Sequence, residues 1–170
     1  MTIDEADAAA VETARADIRA LVRDSVEGGS SIGFVLPVGE DDLDAYVDGI
    51  VREVGAGTRV VALARDGAHV VGMAQLELAQ KPNAGHRAEV QKVVVHRDAR
   101  RQGLAKRLMA DIEERARARG RRLLVLDTEE GSEAIGLYRG CGYTEVGPIP
   151  DYARTSDGGW TATVVFYKKI

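Results

Sequence analysis

Six consecutive residues, Arg100-Arg101-Gln102-Gly103-Leu104-Ala105, bring together the groups that a bound phosphate needs. The apolar run Val93-Val94-Val95 precedes them and an amphipathic run begins at Leu104, so the spacing predicts a strand that turns into a helix through this loop. The first amides of a helix lack intrahelical acceptors and sit at the positive end of its dipole, where a pyrophosphate can accept from several of them at once. Gly103 lets phosphate oxygens approach bare backbone, while Arg100, Arg101 and Lys106 add positive charge. Neither the dinucleotide fingerprint G-x-G-x-x-G nor the P-loop G-x-x-x-x-G-K-[ST] occurs in the chain. The form is instead [QR]-x-x-G-x-[GA], filled by Arg100, Gly103 and Ala105. A plain basic turn is the competing reading of the same six residues.

Charge is patterned around this loop. Arg97, Arg100, Arg101, Lys106 and Arg107 cluster about it, whereas Asp127, Glu129, Glu130 and Glu133 follow the short apolar segment Leu123 to Leu126. A basic patch beside an acidic one suits a polyanionic cofactor meeting a cationic substrate; two solvated faces are the alternative. The net charge of -4 argues against a nucleic-acid partner, which calls for a basic domain. Cys141 is the one cysteine and His69, His86 and His96 are scattered, so neither an internal disulfide nor a metal-spaced Cys/His set is expected. An acidic opening, Met1 to Val11, and the lack of a long apolar run predict a soluble cytoplasmic protein without a membrane partner.

The elements that must hold these residues can be read from periodicity. At 170 residues and 45% hydrophobic content the chain is expected to form a single domain over residues 1–170. Ala14, Ile18, Leu21, Val22 and Val26 predict a first helix ended by Gly28-Gly29, and Leu43, Val47, Ile50 and Val54 a second, stopped by Gly55 and Gly57. Val60 to Arg65 and His69 to Leu78 read as a hairpin through Asp66-Gly67, followed by a strand over Val90 to Val95. Leu104, Leu108, Ile112 and Ala116 stripe the helix after the loop, and the arginines from Arg115 to Arg122 complement its C-terminus. Leu123 to Leu126 is a further strand, then a short helix, then closing strands over Thr144 to Pro148 and Thr161 to Lys168. This order predicts an α/β fold with helices on both faces of one sheet. The first two dozen residues carry little information.

Beyond the loop, Ala134, Tyr138, Gly142 and Tyr143 fill a second pattern, A-x-x-x-Y-x-x-x-G-[FY]. In this order the two patterns resemble motifs A and B of the GCN5-related N-acetyltransferase (GNAT) family. Within it, Gln80-Lys81-Pro82-Asn83, Arg87 to Lys92, Leu126-Asp127-Thr128-Glu129 and Gly28 to Phe34 are similar to segments of its tabtoxin-resistance branch. The resemblance runs from about Gly28 to the C-terminus. It implies a mixed, splayed central sheet whose parallel strands at Val90 to Val95 and Leu123 to Leu126 part to admit coenzyme A from one side and an amine from the other. It further implies acetyl-CoA as cofactor, bound by Arg100, Arg101, Gln102, Gly103, Leu104, Ala105 and Lys106 and by backbone at Val93, Val94 and Val95, where a bulge would free amides for the thioester carbonyl. Gly131 departs from the pattern, since many relatives carry Asn there, so that contact with pantetheine does not transfer.

The resemblance also assigns chemistry. Tyr138 is implied as general acid to the departing thiolate, a phenol being neutral at physiological pH. Glu89 and Asp127 are implied at the acceptor site, Glu89 as base or water relay and Asp127 as anchor for the substrate cation. A carboxylate near 4 is a weak base for an ammonium unless burial raises it or water mediates. Structural alternatives are a core tyrosine, a strand-edge pair of Glu89 with Arg87, and a cap by Asp127 on the turn at Thr128. Gln91 and Lys92 are expected to alternate, so that one faces the gap, with Lys92 in solvent or ion-paired; Cys141 is expected as a core thiol. Tyr152 and Trp160 either wall the acceptor pocket or fill core.

The function implied is acetylation of a small-molecule amine, of which a tabtoxinine β-lactam-type toxin is one candidate. Alternatives are a protein or peptide N-acetyltransferase and a non-catalytic coenzyme A sensor, and the fold admits a homodimer. An open groove would favour peptides; a pocket roofed by Gly28 to Phe34 would favour a small molecule.

Overall fold

The computed structural model describes all 170 residues. Its frame is a seven-stranded mixed sheet: β1 (Thr2–Glu5), β2 (Arg59–Asp66), β3 (His69–Leu78), β4 (Arg87–Val95), β5 (Leu123–Glu129), β6 (Thr144–Arg154) and β7 (Trp160–Lys169). Across the sheet the order is β1-β2-β3-β4-β5-β7-β6, and β4–β5 is the parallel pair. Helices α1 (Ala8–Thr13), α2 (Arg15–Glu27) and α3 (Glu40–Gly55) cover one face, and α4 (Leu104–Ala118) and α5 (Ala134–Gly140) the other.

Strand β2 shows why the sheet is buried on both sides. Val60, Ala62 and Ala64 pack into the core under α4, while Val61 and Leu63 pack into the core under α2 and α3. Successive side chains point to opposite faces, so a strand covered on both reads as a continuous apolar run. Leu108, Met109 and Ile112 of α4 meet Leu76, Leu124 and Phe166 on one side; Ile18, Leu21, Leu43 and Val47 meet Met73 and Val94 on the other.

The expected splayed sheet is present. The helices over 14–26 and 43–54 correspond to α2 and α3, and the hairpin turns through Gly67 at φ 59°. Strand β1 and helix α1 lie in the segment that the periodicity leaves unread. Their residues are short acidic and alanine runs, held in place by pairing of β1 with β2 and by Asp7, whose side chain caps α1 at the Ala10 amide (2.8 Å).

Candidate active site

The β4–α4 loop has the geometry of an anion cradle. Arg101 at φ 61° and Gly103 at φ 73° both take the left-handed conformation, of the kind found in anion-binding backbone nests. Within α4 the first amide with an acceptor in the chain is that of Arg107, bonded to the Gly103 carbonyl at 3.1 Å; the amides of Arg101 to Lys106 have none. Leu104 is buried in the core and offers only its amide, whereas Arg101, Gln102, Gly103 and Lys106 are exposed. Gln102 turns its side-chain amide back to the Asp98 carbonyl (3.4 Å), and Arg100 donates to the Val95 carbonyl (3.0 Å).

A buried carboxylate fixes the loop. Asp24 of α2 accepts from the Arg97 amide at 3.0 Å and pairs with the Arg97 guanidinium, with Arg100 at 4.0 Å. Burial alone would raise this carboxyl group; the Arg97 hydrogen bonds and the charges of His96 and Arg97 outweigh it and hold it below the usual carboxylate range. The helical periodicity does not single out Asp24, since its partner lies 73 positions away in sequence.

Beside the cradle the sheet opens. Strands β4 and β5 pair only at Arg87–Leu123, Ala88–Leu124 and Glu89–Val125, then part. The cause lies partly in β4 itself: Met73 pairs with Val94 and Gln75 with Gln91, so the single residue Ala74 of β3 faces both Lys92 and Val93. That is a bulge, and Lys92 is in the left-handed region at φ 50°. Ala88 and Val90 accordingly point to the α4 face, whereas Val94 packs among α2 and α3, a phase that unbroken alternation forbids. The bulge sits one residue earlier than the Val93 to Val95 stretch named for it, and of those three the Val94 side chain is core.

The bulge also corrects the reading of Gln91 and Lys92. Both lie on the face that carries Glu89. Gln91 donates to Glu89 (2.8 Å) and Glu77 (3.0 Å) and accepts from Arg59 (3.0 Å). Lys92 is half-buried among Arg59, Glu89 and Asp127, with its ammonium 3.2 Å from where a Cβ on Gly33 would stand. It makes neither a hydrogen bond nor an ion pair, so it is not the solvated or paired lysine expected. Burial first, then Arg59, pushes its pKa down, against the pull of Asp127 and Glu89.

The other candidate residues come from β4, β5 and α5. Asp127 accepts a 2.6 Å hydrogen bond from the Thr163 hydroxyl and is otherwise exposed; it caps no turn at Thr128. Glu89 is half-buried and bonded to Gln91 rather than to Arg87. The Tyr138 ring is 7% exposed, packed at 5.9 Å from Phe166 and 6.1 Å from Tyr143. Its hydroxyl makes no hydrogen bond within the chain; burial, with the Asp127 and Cys141 charges adding to it, pushes the phenol up to about 12. Cys141 is half-buried at the end of α5, its thiol also pushed up by burial, in keeping with an inert edge-of-core residue.

The segment Ser31 to Leu36 roofs the Lys92 end of the opening. Phe34 stacks edge-on against Tyr46 at 5.5 Å, the Leu36 amide bonds the Ser156 carbonyl at 2.8 Å, and the Ser31 hydroxyl bonds the Arg154 carbonyl at 3.2 Å. The segment after α2 is thereby laid over Lys92 and tied to the β6–β7 hairpin. Neither Tyr152 (54% exposed) nor Trp160 (63%) fills core. The Asp127 charge, then burial and the Glu89 charge, raise the Tyr152 phenol, while Trp160 carries the Arg154 guanidinium on its ring at 4.5 Å.

Comparison with known proteins agrees with this architecture. The profile described as acetyltransferase (GNAT) family matches residues 30–143. A relative from Azospirillum brasilense, described as an uncharacterized N-acetyltransferase in the hisH-hisA intergenic region, is 33% identical over 109 residues, spanning 63% of this chain and 63% of that protein. Among solved structures, ribosomal-protein-alanine N-acetyltransferase from Brucella melitensis superposes with a TM-score of 0.78 at 24% identity over 100% of both chains. YncA from Salmonella typhimurium, solved with its cofactor acetyl-CoA, gives 0.78 at 19% identity over 99% of this chain and 93% of that one. Aminoglycoside 6'-acetyltransferase type Ii gives 0.73 at 20% identity over 99% and 97%. The chain belongs to the acetyltransferase (GNAT) family, whose members use acetyl-CoA.

Proposed function

We propose that this protein is a single-domain N-acetyltransferase that moves the acetyl group of acetyl-CoA to the amine of a small molecule. The amides of Arg101 to Lys106 would hold the pyrophosphate, with Arg100 and Arg101 as flanking cations, and the opening between β4 and β5 would admit the pantetheine arm. A neutral amine attacks the thioester carbonyl carbon, the carbonyl oxygen takes up negative charge near amides freed by the bulge at Lys92–Val93, and the C–S bond then breaks. Glu89 accepts the proton shed by the amine, directly or through water, and Tyr138 donates one to the departing thiolate. A phenol near 12 lies above a thiol near 8.5, so its proton moves in concert with C–S cleavage rather than ahead of it. Asp127 attracts the cationic form of the acceptor to the mouth.

The attachment of Ser31 to Leu36 to the β6–β7 hairpin carries the small-molecule reading, because it lays this segment beside Lys92, where an extended peptide would need room. The test is acetylation, followed by mass spectrometry, across a panel of amino acids, polyamines, tabtoxinine β-lactam and short peptides. Product from small amines alone is expected. Product from peptides alone would keep the carboxylate roles and replace the substrate class.

A further inference from the structure

The roofed end of the opening holds a cation with no partner. Lys92 takes φ 50°, a conformation that a side-chain-bearing residue keeps only when its surroundings hold it there. The bulge turns its ammonium to the same face as Glu89, under Gly33, where it is half-buried and makes neither a hydrogen bond nor an ion pair. Arg59, the other cation of this cluster, is engaged: its guanidinium binds Glu53, Gln75 (2.8 Å), Gln91 (3.0 Å) and Glu77 (3.4 Å). Glu89 takes one hydrogen bond, from Gln91, and Asp127 one, from Thr163, so each keeps lone pairs for an incoming ammonium. Two available carboxylates and one unengaged ammonium on the walls of one cleft complement a molecule bearing the opposite arrangement.

From this juxtaposition we propose that Lys92 is an anion subsite of the acceptor pocket, binding a carboxylate carried by the amine substrate, so that the acceptor is a zwitterionic amino acid. The proposal rests on the reading of Glu89 and Asp127 as acceptor-facing groups. A half-buried ammonium interacts with a carboxylate more strongly than an exposed one, because less water competes for either charge. Plain amines and polyamines meet the two carboxylates and leave Lys92 unanswered. A peptide presents an amine with an amide where the carboxylate should be.

The experiment compares the common L-amino acids, ornithine and 2,4-diaminobutyrate, each beside its carboxamide, with acetyl-CoA and the full-length protein, wild type and Lys92→Gln and Lys92→Arg. For the best acceptor, kcat/KM of the acid should exceed that of its amide by about 10- to 100-fold, the share of one charge-assisted hydrogen bond. Lys92→Gln should bring that ratio close to one, through KM, and Lys92→Arg should retain part of it. An acid-to-amide ratio near one in the wild type, or a ratio that Lys92→Gln leaves unchanged, would overturn the subsite while leaving the acetyltransferase reading in place. Binding of acetyl-CoA without acetylation of any acid or amide would remove the acceptor reading itself, and the subsite with it.

Discussion

Asp24 and Arg97 tie the second helix to the start of the β4–α4 loop: the carboxylate accepts from the Arg97 amide at 3.0 Å and pairs with its guanidinium, while 8% exposed. The cradle is therefore braced from the opposite face of the sheet. Because Asp24 is held below its unfolded value near 4, its contribution to stability is present at neutral pH and is lost as pH falls through the folded value. Asp24→Asn should cost about 2 kcal/mol in urea unfolding at pH 7, a cost that shrinks as the pH is taken below about 4. The same substitution should weaken acetyl-CoA binding several-fold. Equal stability of the two proteins at pH 7 would contradict the brace.

Gly103→Val and Arg101→Glu should each weaken acetyl-CoA, seen as loss of the rise in melting temperature that the cofactor gives. They act differently. A Cβ at Gly103 meets nothing within 4 Å, so the valine acts through strain at φ 73° and by standing where phosphate oxygens approach the amides. Arg101→Glu repels the phosphates directly. Wild-type affinity in both variants would refute the loop as the pyrophosphate site.

Tyr138→Phe keeps the ring packing against Phe166 and Tyr143 and removes only the proton donor. Turnover should drop by roughly 10²- to 10⁴-fold with acetyl-CoA affinity unchanged. Since burial raises the phenol to about 12, it stays protonated across the working range, and no alkaline loss of rate below about pH 11 should trace to it. Unchanged turnover in folded Tyr138→Phe would exclude the acid role.

Glu89 and Asp127 should separate in kinetics. Asp127 is exposed at the mouth, so Asp127→Asn should mainly raise KM for the amine, an effect that salt diminishes; half-buried Glu89, changed to Gln, should mainly lower kcat. Small and equal effects of both would move the base role to water or backbone.

What could be read from sequence followed the regular repeats. The stripe Leu104, Leu108, Ile112 and Ala116, the strands flanking the loop, and the pattern from Ala134 to Tyr143 all reappear as packed elements. Lys92 did not. A bulge is a mismatch between two strands, so it exists only once β3 and β4 are in register, and positive φ at Lys92 and Arg101 carries no glycine to announce it. Asp24 was hidden for a similar reason, since its role comes from Arg97, a residue far along the chain. The roof, likewise, is set by contacts of Ser31, Phe34 and Leu36 with α3 and the β6–β7 hairpin.

The most direct test of the account is release of coenzyme A thiol from acetyl-CoA by the purified protein, measured with and without each amine and repeated with Tyr138→Phe. The account predicts thiol release that depends on a small amine, stoichiometric with acetylated product, and reduced at least 10²-fold in the variant. Acetyl-CoA that binds but yields no amine-dependent thiol with any acceptor would contradict it and leave a protein that only senses the cofactor.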